Sequence, residues 1–587
     1  MRRALVIGAE TGGLTGVAND ARDVASWLRG HAFAVDLRLG PAATRDAILE
    51  AFDALIADVR CDDAAVVYYS GHGGLIELTD QARARVGFLV PTDHEPQGSF
   101  RGIVEIQWSA LVAALTARTP NVTVIHDCCH AAQTVRSARL PGARPRALAA
   151  VRLTADALAT FAGRRRGADA HPHPLGNPQA VRITAAGLGL AWEHADATGR
   201  VHGAFTRALL GEASALGDAA ASWAELGRRV RDRVLHATGR QRPEFEGPTD
   251  RRMFDLDTVD APARFAIRQE GRRFVLAAGR VHGVEHGDVF RSPTSGDPAV
   301  VTQVGVFESA VALATQPRRP GAFEAVAVRR ATRYPIAIDV GDPALHAALA
   351  AAIAGSARLC VGDADPLARV QHRHGQLFVL RDGHQVGPPL VADAAARTVI
   401  RLSRMAAART VQRTTDQLLD PAQLAIAVER VSGPPSWLAD GAELSVSDRI
   451  CVHVANRTQR TLWLHCFVIG PGLAHEALGP ISAGTVIEPR TTHVLGAVTG
   501  VGAIGFTLPQ HIGGSGTGAC GIELIALATT MPLDMSSTLQ GDLPVASAPS
   551  AETSDEPAGR APEASRDLSA PPRAHHAVAA RLRLWLR

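Results

Sequence analysis

The chain has 587 residues, 46% of them hydrophobic and 20% charged, so it can bury sizeable cores in about three to five domains. Its 61 basic and 58 acidic residues nearly balance, which argues against nucleic acid as the main partner. Seven scattered cysteines, an odd number, argue against a disulfide framework and favour a reducing, cytoplasmic compartment. We expect no integral membrane segment, because no apolar run approaches about 18–20 residues, and the N-terminus is not typical of a signal peptide.

Residues 1–255 alternate strand and helix patterns. Strands are predicted at 3–8, 64–71 and 121–128, and helices at 19–30, 44–58 and 107–118. This alternation is typical of a parallel-rich sheet with helices on both faces. In such folds the reactive groups gather at the carboxyl ends of the strands.

An insertion at 136–180 interrupts this alternation. It is basic and rich in proline and glycine, with one helix predicted near 147–162. A long irregular segment inside a compact domain is typically functional or mobile. The alternative interpretation is a surface loop that the fold tolerates.

The rest of the chain is predicted to be mostly β. Short β patterns with glycine turns indicate a small β module at 262–335, followed by a mixed α/β region at 336–422. The patterns at 424–535 favour a β-sandwich-like domain. Residues 536–587 are interpreted as a disordered tail with a short basic amphipathic segment at 574–587, which is either a helix or a frayed end.

Two predicted strands end in groups capable of nucleophilic chemistry. VVYYSGHGG at 66–74 places His72 between glycines, and VIHDCCHAA at 124–132 places Cys128 and Cys129 at a strand end. Both ends should meet at one edge of the sheet, where a histidine can act as base for a cysteine. The alternatives are two small core cysteines or a metal site. The metal site is disfavoured because adjacent strand residues point to opposite faces and no second cysteine pair completes a zinc set.

These pieces, together with ALVIG, GVANDARDVASWL and GFLVPTD, resemble the caspase-like cysteine peptidases of clan CD, and among them the metacaspases and their bacterial relatives. The resemblance covers residues 1–255 and implies a caspase-haemoglobinase-like three-layer α/β/α domain. It implies a catalytic dyad of His72 and Cys129, with the backbone N–H groups of Gly73 and Cys129 as the oxyanion hole. Around the nucleophile, metacaspases have the pattern Asp-Ser-Cys-His-Ser-Gly. Residues 127–132 of this chain are Asp-Cys-Cys-His-Ala-Ala, so alignment with the pattern indicates Cys129 rather than Cys128 as the nucleophile.

The resemblance also implies an acidic S1 pocket made by Asp20, Ser70 and Asp127. Two converging carboxylates favour the binding of a cationic substrate side chain, and arginine offers both of them a planar fork of N–H donors. The alternatives are that Asp20 only caps a helix and that Asp127 only accepts hydrogen bonds at its strand end. No cofactor or metal is expected. The calcium requirement of some metacaspases has no match here, and Arg136 lies where one aspartate would be.

We therefore predict a cytoplasmic cysteine endopeptidase that cuts proteins after arginine. The segment at 424–535 resembles the non-catalytic β domain often attached to bacterial caspase-like proteins. The insertion follows Cys129 closely, and Arg164, Arg165 and Arg166 are candidate processing sites. This predicts a restrained precursor that is activated by cleavage between about 136 and 180, by itself or by an upstream protease. The family resemblance implies a role in bacterial stress or antiphage defence. The alternatives are an inactive caspase-like scaffold and a hydrolase of non-peptide acyl bonds.

Overall fold

The computed structural model of the protein describes residues 1–80, 85–95, 98–129, 142–162, 176–187, 189–217, 221–259, 263–292, 298–313, 323–391, 394–479, 484–498, 502–508, 520–535, 538 and 576–587. The chain divides into two compact units. The first contains Met1–Val259 and Leu495–Phe506, and the second contains Asp260–Val494 and Thr507–Arg587. No helix among the described residues is long and apolar enough to span a membrane.

Helices and strands alternate through the first 259 residues. The helices are α1 (Val17–Gly30), α2 (Arg45–Asp58), α3 (Glu105–Thr116), α4 (Ala155–Ala162), α5 (Ala204–Leu216) and α6 (Trp223–Thr238). The strands are β1 (Arg2–Ala9), β2 (Ala34–Leu39), β3 (Ala64–Gly71), β4 (Gly73–Leu78), β5 (Arg85–Leu89), β6 (Ile103–Val104), β7 (Asn121–Asp127), β8 (Arg144–Pro145), β9 (Val151–Leu153), β10 (Val181–Thr184), β11 (Trp192–Ala195), β12 (Val201–Gly203) and β13 (Glu244–Glu246).

The main sheet has the order β13-β10-β7-β3-β1-β2, and every neighbouring pair is parallel except β10 with β13. Side chains of one strand alternate between two cores. Val6 packs into the core shared with α1, α5 and α6, whereas Leu5 and Ile7 pack into the core shared with α2 and α3. The prediction of a three-layer α/β/α domain is therefore confirmed.

The described parts of residues 73–203 form two smaller sheets besides their strands of the main sheet. The first has the order β12-β11-β8 and the second the order β6-β5-β4-β9. Each includes a strand from the predicted insertion, namely β8 and β9. Part of the insertion is therefore built into the sheets of the domain.

The second unit is mostly β. Its strands, together with β34 and β35 of the first unit, are β14 (Arg264–Glu270), β15 (Arg273–Leu276), β16 (Val289–Arg291), β17 (Pro298–Val304), β18 (Ser309–Leu313), β19 (Phe323–Arg329), β20 (Tyr334–Asp339), β21 (Leu359–Val361), β22 (Ala368–Arg373), β23 (Gln376–Arg381), β24 (His384–Gln385), β25 (Leu390–Val391), β26 (Leu424–Arg430), β27 (Ser436–Leu438), β28 (Ala442–Leu444), β29 (Ile450–Asn456), β30 (Leu462–Ile469), β31 (His475–Ala477), β32 (Thr485–Ile487), β33 (Thr492–Leu495), β34 (Ala497–Val498), β35 (Gly502–Ala503), β36 (Cys520–Thr529) and β37 (Ala577–Leu586). Its helices are α7 (Pro343–Ala354) and α8 (Ala395–Leu418).

Strands β14–β19 close into a barrel, and β20–β25 form a mixed sheet beside α7 and α8. Two further sheets follow, β27-β26-β29-β33 and β28-β37-β36-β30-β31. One hydrophobic core joins α7, α8, the mixed sheet and strands β30, β36 and β37.

The prediction of an amphipathic helix at 574–587 is wrong. Residues 577–586 form β37, a strand that pairs with both β28 and β36. The reason is the period of its pattern: Leu582, Leu584 and Leu586 are buried at every second position, whereas Arg583 and Trp585 between them are exposed. Alternation with period two specifies a strand rather than a helix. Residues 539–575 of the predicted disordered tail lie outside the described residues.

Candidate active site

The predicted dyad residues follow the carboxyl ends of two neighbouring parallel strands. Ser70 of β3 is in register with Asp127 of β7, so the residues just after them meet at one edge of the sheet. Cys128 and Cys129 point to opposite sides. Cys128 packs in the α2–α3 core, and Cys129 lies on the face of α1, α5 and α6. The two cysteines are therefore not equivalent, as their alternation along the strand requires.

The Cys129 thiol is enclosed by backbone. The Ala191 N–H donates to Sγ at 2.8 Å, and Sγ lies 3.4 Å from the Ala191 carbonyl oxygen. Burial raises the pKa of the Cys129 thiol to about 12, and hydrogen bonds from the backbone of Ala191 and Arg146 only partly oppose it. The thiol is therefore protonated at neutral pH in this arrangement.

The His72 ring is also buried, and neither ring nitrogen makes a hydrogen bond of ordinary geometry within the described part of the chain. Burial lowers the pKa of His72 to about 4, although nearby backbone groups, Gly12 first among them, oppose it. Gly12 has φ +57°, and a Cβ there would lie 2.6 Å from His72 Nε2. Only glycine fits both this conformation and this approach to the ring.

Gly73 and Cys129 form a pair of converging N–H donors. Both donate to the Arg146 carbonyl oxygen, at 3.0 Å from Gly73 and 3.2 Å from Cys129. A Cβ at Gly73 would lie 1.7 Å from the Cys129 carbonyl oxygen, so no larger residue fits. Two N–H groups on one carbonyl oxygen are the arrangement that stabilises an oxyanion in acyl transfer.

The Arg146 guanidinium fills an acidic pocket, and its side chain is fully buried. Nη1 donates to Ser70 Oγ at 2.8 Å and lies 3.0 Å from Asp127 Oδ2. Nη2 contacts Asp20 Oδ2 and lies 3.5 Å from Glu193 Oε2. The structure thus brings together the three residues for which the family resemblance implies an S1 role, with an arginine of this same chain between them.

Neighbouring groups hold the pocket carboxylates in place. Thr206 Oγ1 donates to Asp127 Oδ2 at 2.6 Å and is itself hydrogen-bonded to the Tyr68 hydroxyl at 2.7 Å. The Gly203 N–H donates to both oxygens of Asp20, at 3.1 and 3.0 Å. A Cβ at Gly203 would lie 2.2 Å from Asp127 Oδ2, so glycine is required at this wall.

Burial and neighbouring charges together shift the pKa of two groups in the pocket. Burial raises the pKa of Asp127 to about 6, with Arg146 lowering it and Asp20 raising it. Burial opposes the charge of Arg146, but Asp127 and Asp20 outweigh it and raise the pKa of the guanidinium. The arginine therefore stays charged.

Residues on both sides of Arg146 are held as strands. Pro145 and Arg144 pair with Trp192 and Glu193 of β11, and the Arg146 N–H donates to the Ala191 carbonyl at 2.9 Å. On the other side, the Leu148 N–H donates to the Gly73 carbonyl at 3.0 Å. Further on, β9 pairs in parallel with β4, and Leu158 of α4 is fully buried.

Sequence reasoning missed several residues of this site, among them Arg146, Glu193, Gly203 and Thr206. The arginine content of the insertion is visible in the sequence, but no neighbouring residue distinguishes Arg146 from the other arginines. Arg164, Arg165 and Arg166, the predicted processing sites, lie outside the described residues, as does Arg136.

Part of the chain is similar to known proteins. Residues 1–254 match the family model of the caspase domain. A segment of 147 residues is 29% identical to metacaspase III c of Phaeodactylum tricornutum, covering 22% of this chain and 42% of that protein. The chain thus matches less than half of the length of this relative. A solved structure of a Geobacter sulfurreducens protein aligns with 42% of this chain and 91% of its own, at 20% identity and a TM-score of 0.31. The match to the family model shows that residues 1–254 are a caspase-like domain, and β-rich modules follow it in this chain.

Proposed function

We propose that the first unit is a cysteine endopeptidase that cuts protein chains after arginine. One observation carries the proposal: Arg146 fills the acidic pocket while its own carbonyl oxygen accepts from the Gly73 and Cys129 N–H groups. A buried ion pair alone would have no need of that carbonyl contact. The two together are what a peptidase needs of a substrate residue at the cleavage point.

The chemistry requires the thiol and the imidazole to act together. Cys129 Sγ forms a bond to the carbonyl carbon of the substrate arginine as its proton passes to His72. The oxyanion that develops is stabilised by the N–H groups of Gly73 and Cys129. His72 then gives the proton to the departing amine, and water hydrolyses the resulting thioester. Burial keeps both dyad groups neutral at rest, so opening of the site should activate the thiol.

We also propose that the protein is a restrained precursor and that Arg146–Ala147 is the first bond it cuts. The pocket that would bind a substrate arginine is filled by Arg146, so substrates are excluded until this segment leaves. Strand pairing on both sides, with β11 and with β4, supports this register. An upstream protease is an alternative activator. The role in bacterial stress or antiphage defence stays a prediction from family resemblance.

The self-cleavage proposal predicts a new N-terminus. Purified wild-type protein should yield a fragment that begins at Ala147, and Cys129→Ala should stay uncut, because the cut needs the thiol. Arg146→Gln should block this cut, since the neutral amide loses the charge that the carboxylates bind. N-terminal sequencing and intact-mass measurement test both statements.

A matched control is Arg144→Gln, two residues away and exposed, which should leave the cut in place. A first cut at Arg164, Arg165 or Arg166 would contradict the assigned bond. It would leave arginine specificity standing.

Acid should affect the pocket through Asp127. Its folded pKa of about 6 lies above the ordinary 3.8, so the native chain binds this proton more tightly than the unfolded chain. The protonated group therefore stabilises the fold fully below pH 3.8, and the contribution is lost as pH rises through about 6. The free energy of unfolding in urea should be compared for Cys129→Ala and for the double variant Cys129→Ala with Asp127→Asn. As pH falls from about 7 to about 4, Cys129→Ala should gain stability relative to the double variant. A difference that does not change with pH would contradict the raised pKa.

A further inference from the structure

Glu193 is a third carboxylate at the pocket, and it was not among the residues expected from the sequence. It lies on β11, is 1% exposed, and its Oε2 is 3.5 Å from Arg146 Nη2. The same carboxylate accepts the N–H groups of Thr15 at 3.1 Å and Gly16 at 3.2 Å. It therefore joins the turn before α1 to the pocket wall.

The two ends of the guanidinium contact different partners. Nη1 contacts Ser70 and Asp127, whereas Nη2 contacts Asp20 and Glu193. A lysine carries one ammonium nitrogen and cannot lie at both ends at once, since its charge is a single point rather than a planar fork. A carboxylate at the Nη2 end can therefore distinguish an arginine side chain from a lysine side chain.

We propose that Glu193 is a specificity-determining residue that makes this pocket select arginine over lysine. The inference rests on the proposed function and names a residue that sets its substrate class. Glu193 lies at the second end of the fork, where its carboxylate accepts an N–H of the charged guanidinium that a lysine does not present there.

A purely structural role for Glu193 makes a different prediction. Its carboxylate lies at the N-terminus of α1, where Gly16 is the N-cap and no side chain of the helix itself caps the first turn. Negative charge is favourable there. If capping were its whole role, Glu193→Gln would change arginine and lysine recognition equally. Glutamine keeps the size of the side chain and one acceptor oxygen, so it isolates the loss of charge.

The direct test is binding to the full chain with the pocket vacated. In Cys129→Ala with Arg146→Ala, calorimetry should show that N-acetyl-arginine amide binds more tightly than N-acetyl-lysine amide. Adding Glu193→Gln should weaken the arginine probe about tenfold and change the lysine probe much less. Glu212→Gln is the matched control: Glu212 pairs with Arg233 and is not among the residues that contact the Arg146 guanidinium, so it should leave both affinities unchanged. Equal weakening of both probes, or of neither, would overturn the proposal.

A second measurement covers the case in which the vacated protein does not fold. In self-cut protein with Cys129 intact, Glu193→Gln should lower the ratio of kcat/KM for arginyl over lysyl reporters about tenfold, mainly through KM. Glu193→Asp keeps the charge and should retain part of that ratio. An unchanged ratio would overturn the role of Glu193 while leaving the peptidase assignment intact. Absence of hydrolysis of either reporter would instead count against the proposed function, and the binding ratio would still decide the inference.

Discussion

Cys129→Ala should abolish hydrolysis of arginyl substrates, with a loss of about 10⁴-fold or more in kcat/KM. The Cys129 thiol can form the acyl bond, and it lies beside the N–H pair that would stabilise the oxyanion. His72→Ala should be as inactive. Because the two residues act as a unit, the double variant should lose no more than either single one. A fluorogenic arginyl reporter and self-cut protein measure all three.

Cys128→Ala is the matched control for this result. Cys128 is equally buried and adjacent in sequence, but it packs in the α2–α3 core. Removing its sulfur should cost some stability through a small cavity and should leave much of the activity. An inactive Cys128→Ala with an active Cys129→Ala would show that the nucleophile has been assigned to the wrong sulfur.

Arg146→Ala should destabilise the uncut protein by about 3–5 kcal/mol, because it leaves buried carboxylates without their cation. Asp20, Asp127 and Glu193 all contact this guanidinium, and all are at most 1% exposed. The comparison is best made in Cys129→Ala, in which the chain stays intact. Urea unfolding followed by circular dichroism gives the free energy of unfolding.

Arg144→Ala controls for the loss of an arginine from the same segment. Its Nη1 donates to the Gly13 carbonyl at the surface, and a contact of this kind should contribute less than about 1 kcal/mol. If both variants lose the same small amount, the acidic pocket does not depend on Arg146. The precursor proposal would then lose its physical basis.

The sequence predicts the elements that rest on local patterns. The strands that carry Ser70 and Asp127 are predicted from the sequence, because short apolar runs that end at glycine or an acidic residue are typical of buried parallel strands. The dyad candidates followed, since both come just after such strands. Their proximity could be inferred from the general rule for the edge of a parallel sheet.

The occupant of the pocket could not be predicted in this way. Arg146 is one arginine among several in the insertion, and its place depends on pairing with β11 and β4, which lie far away in sequence. Glu193 lies on a four-residue strand that gave no periodic signal. At the C-terminus, the composition of a basic and apolar segment is compatible with an amphipathic helix. Its final residues instead alternate between buried and exposed and form β37.

The most direct test of an arginine-directed cysteine peptidase is to map the cuts it makes in other proteins. The self-cut protein would be incubated with a denatured proteome beside Cys129→Ala, and the new N-termini sequenced by mass spectrometry. We expect cuts that depend on Cys129 and that follow arginine. Cuts after aspartate or large apolar residues would contradict the acidic pocket. If no cut depended on Cys129, the catalytic assignment would be contradicted in favour of an inactive caspase-like scaffold.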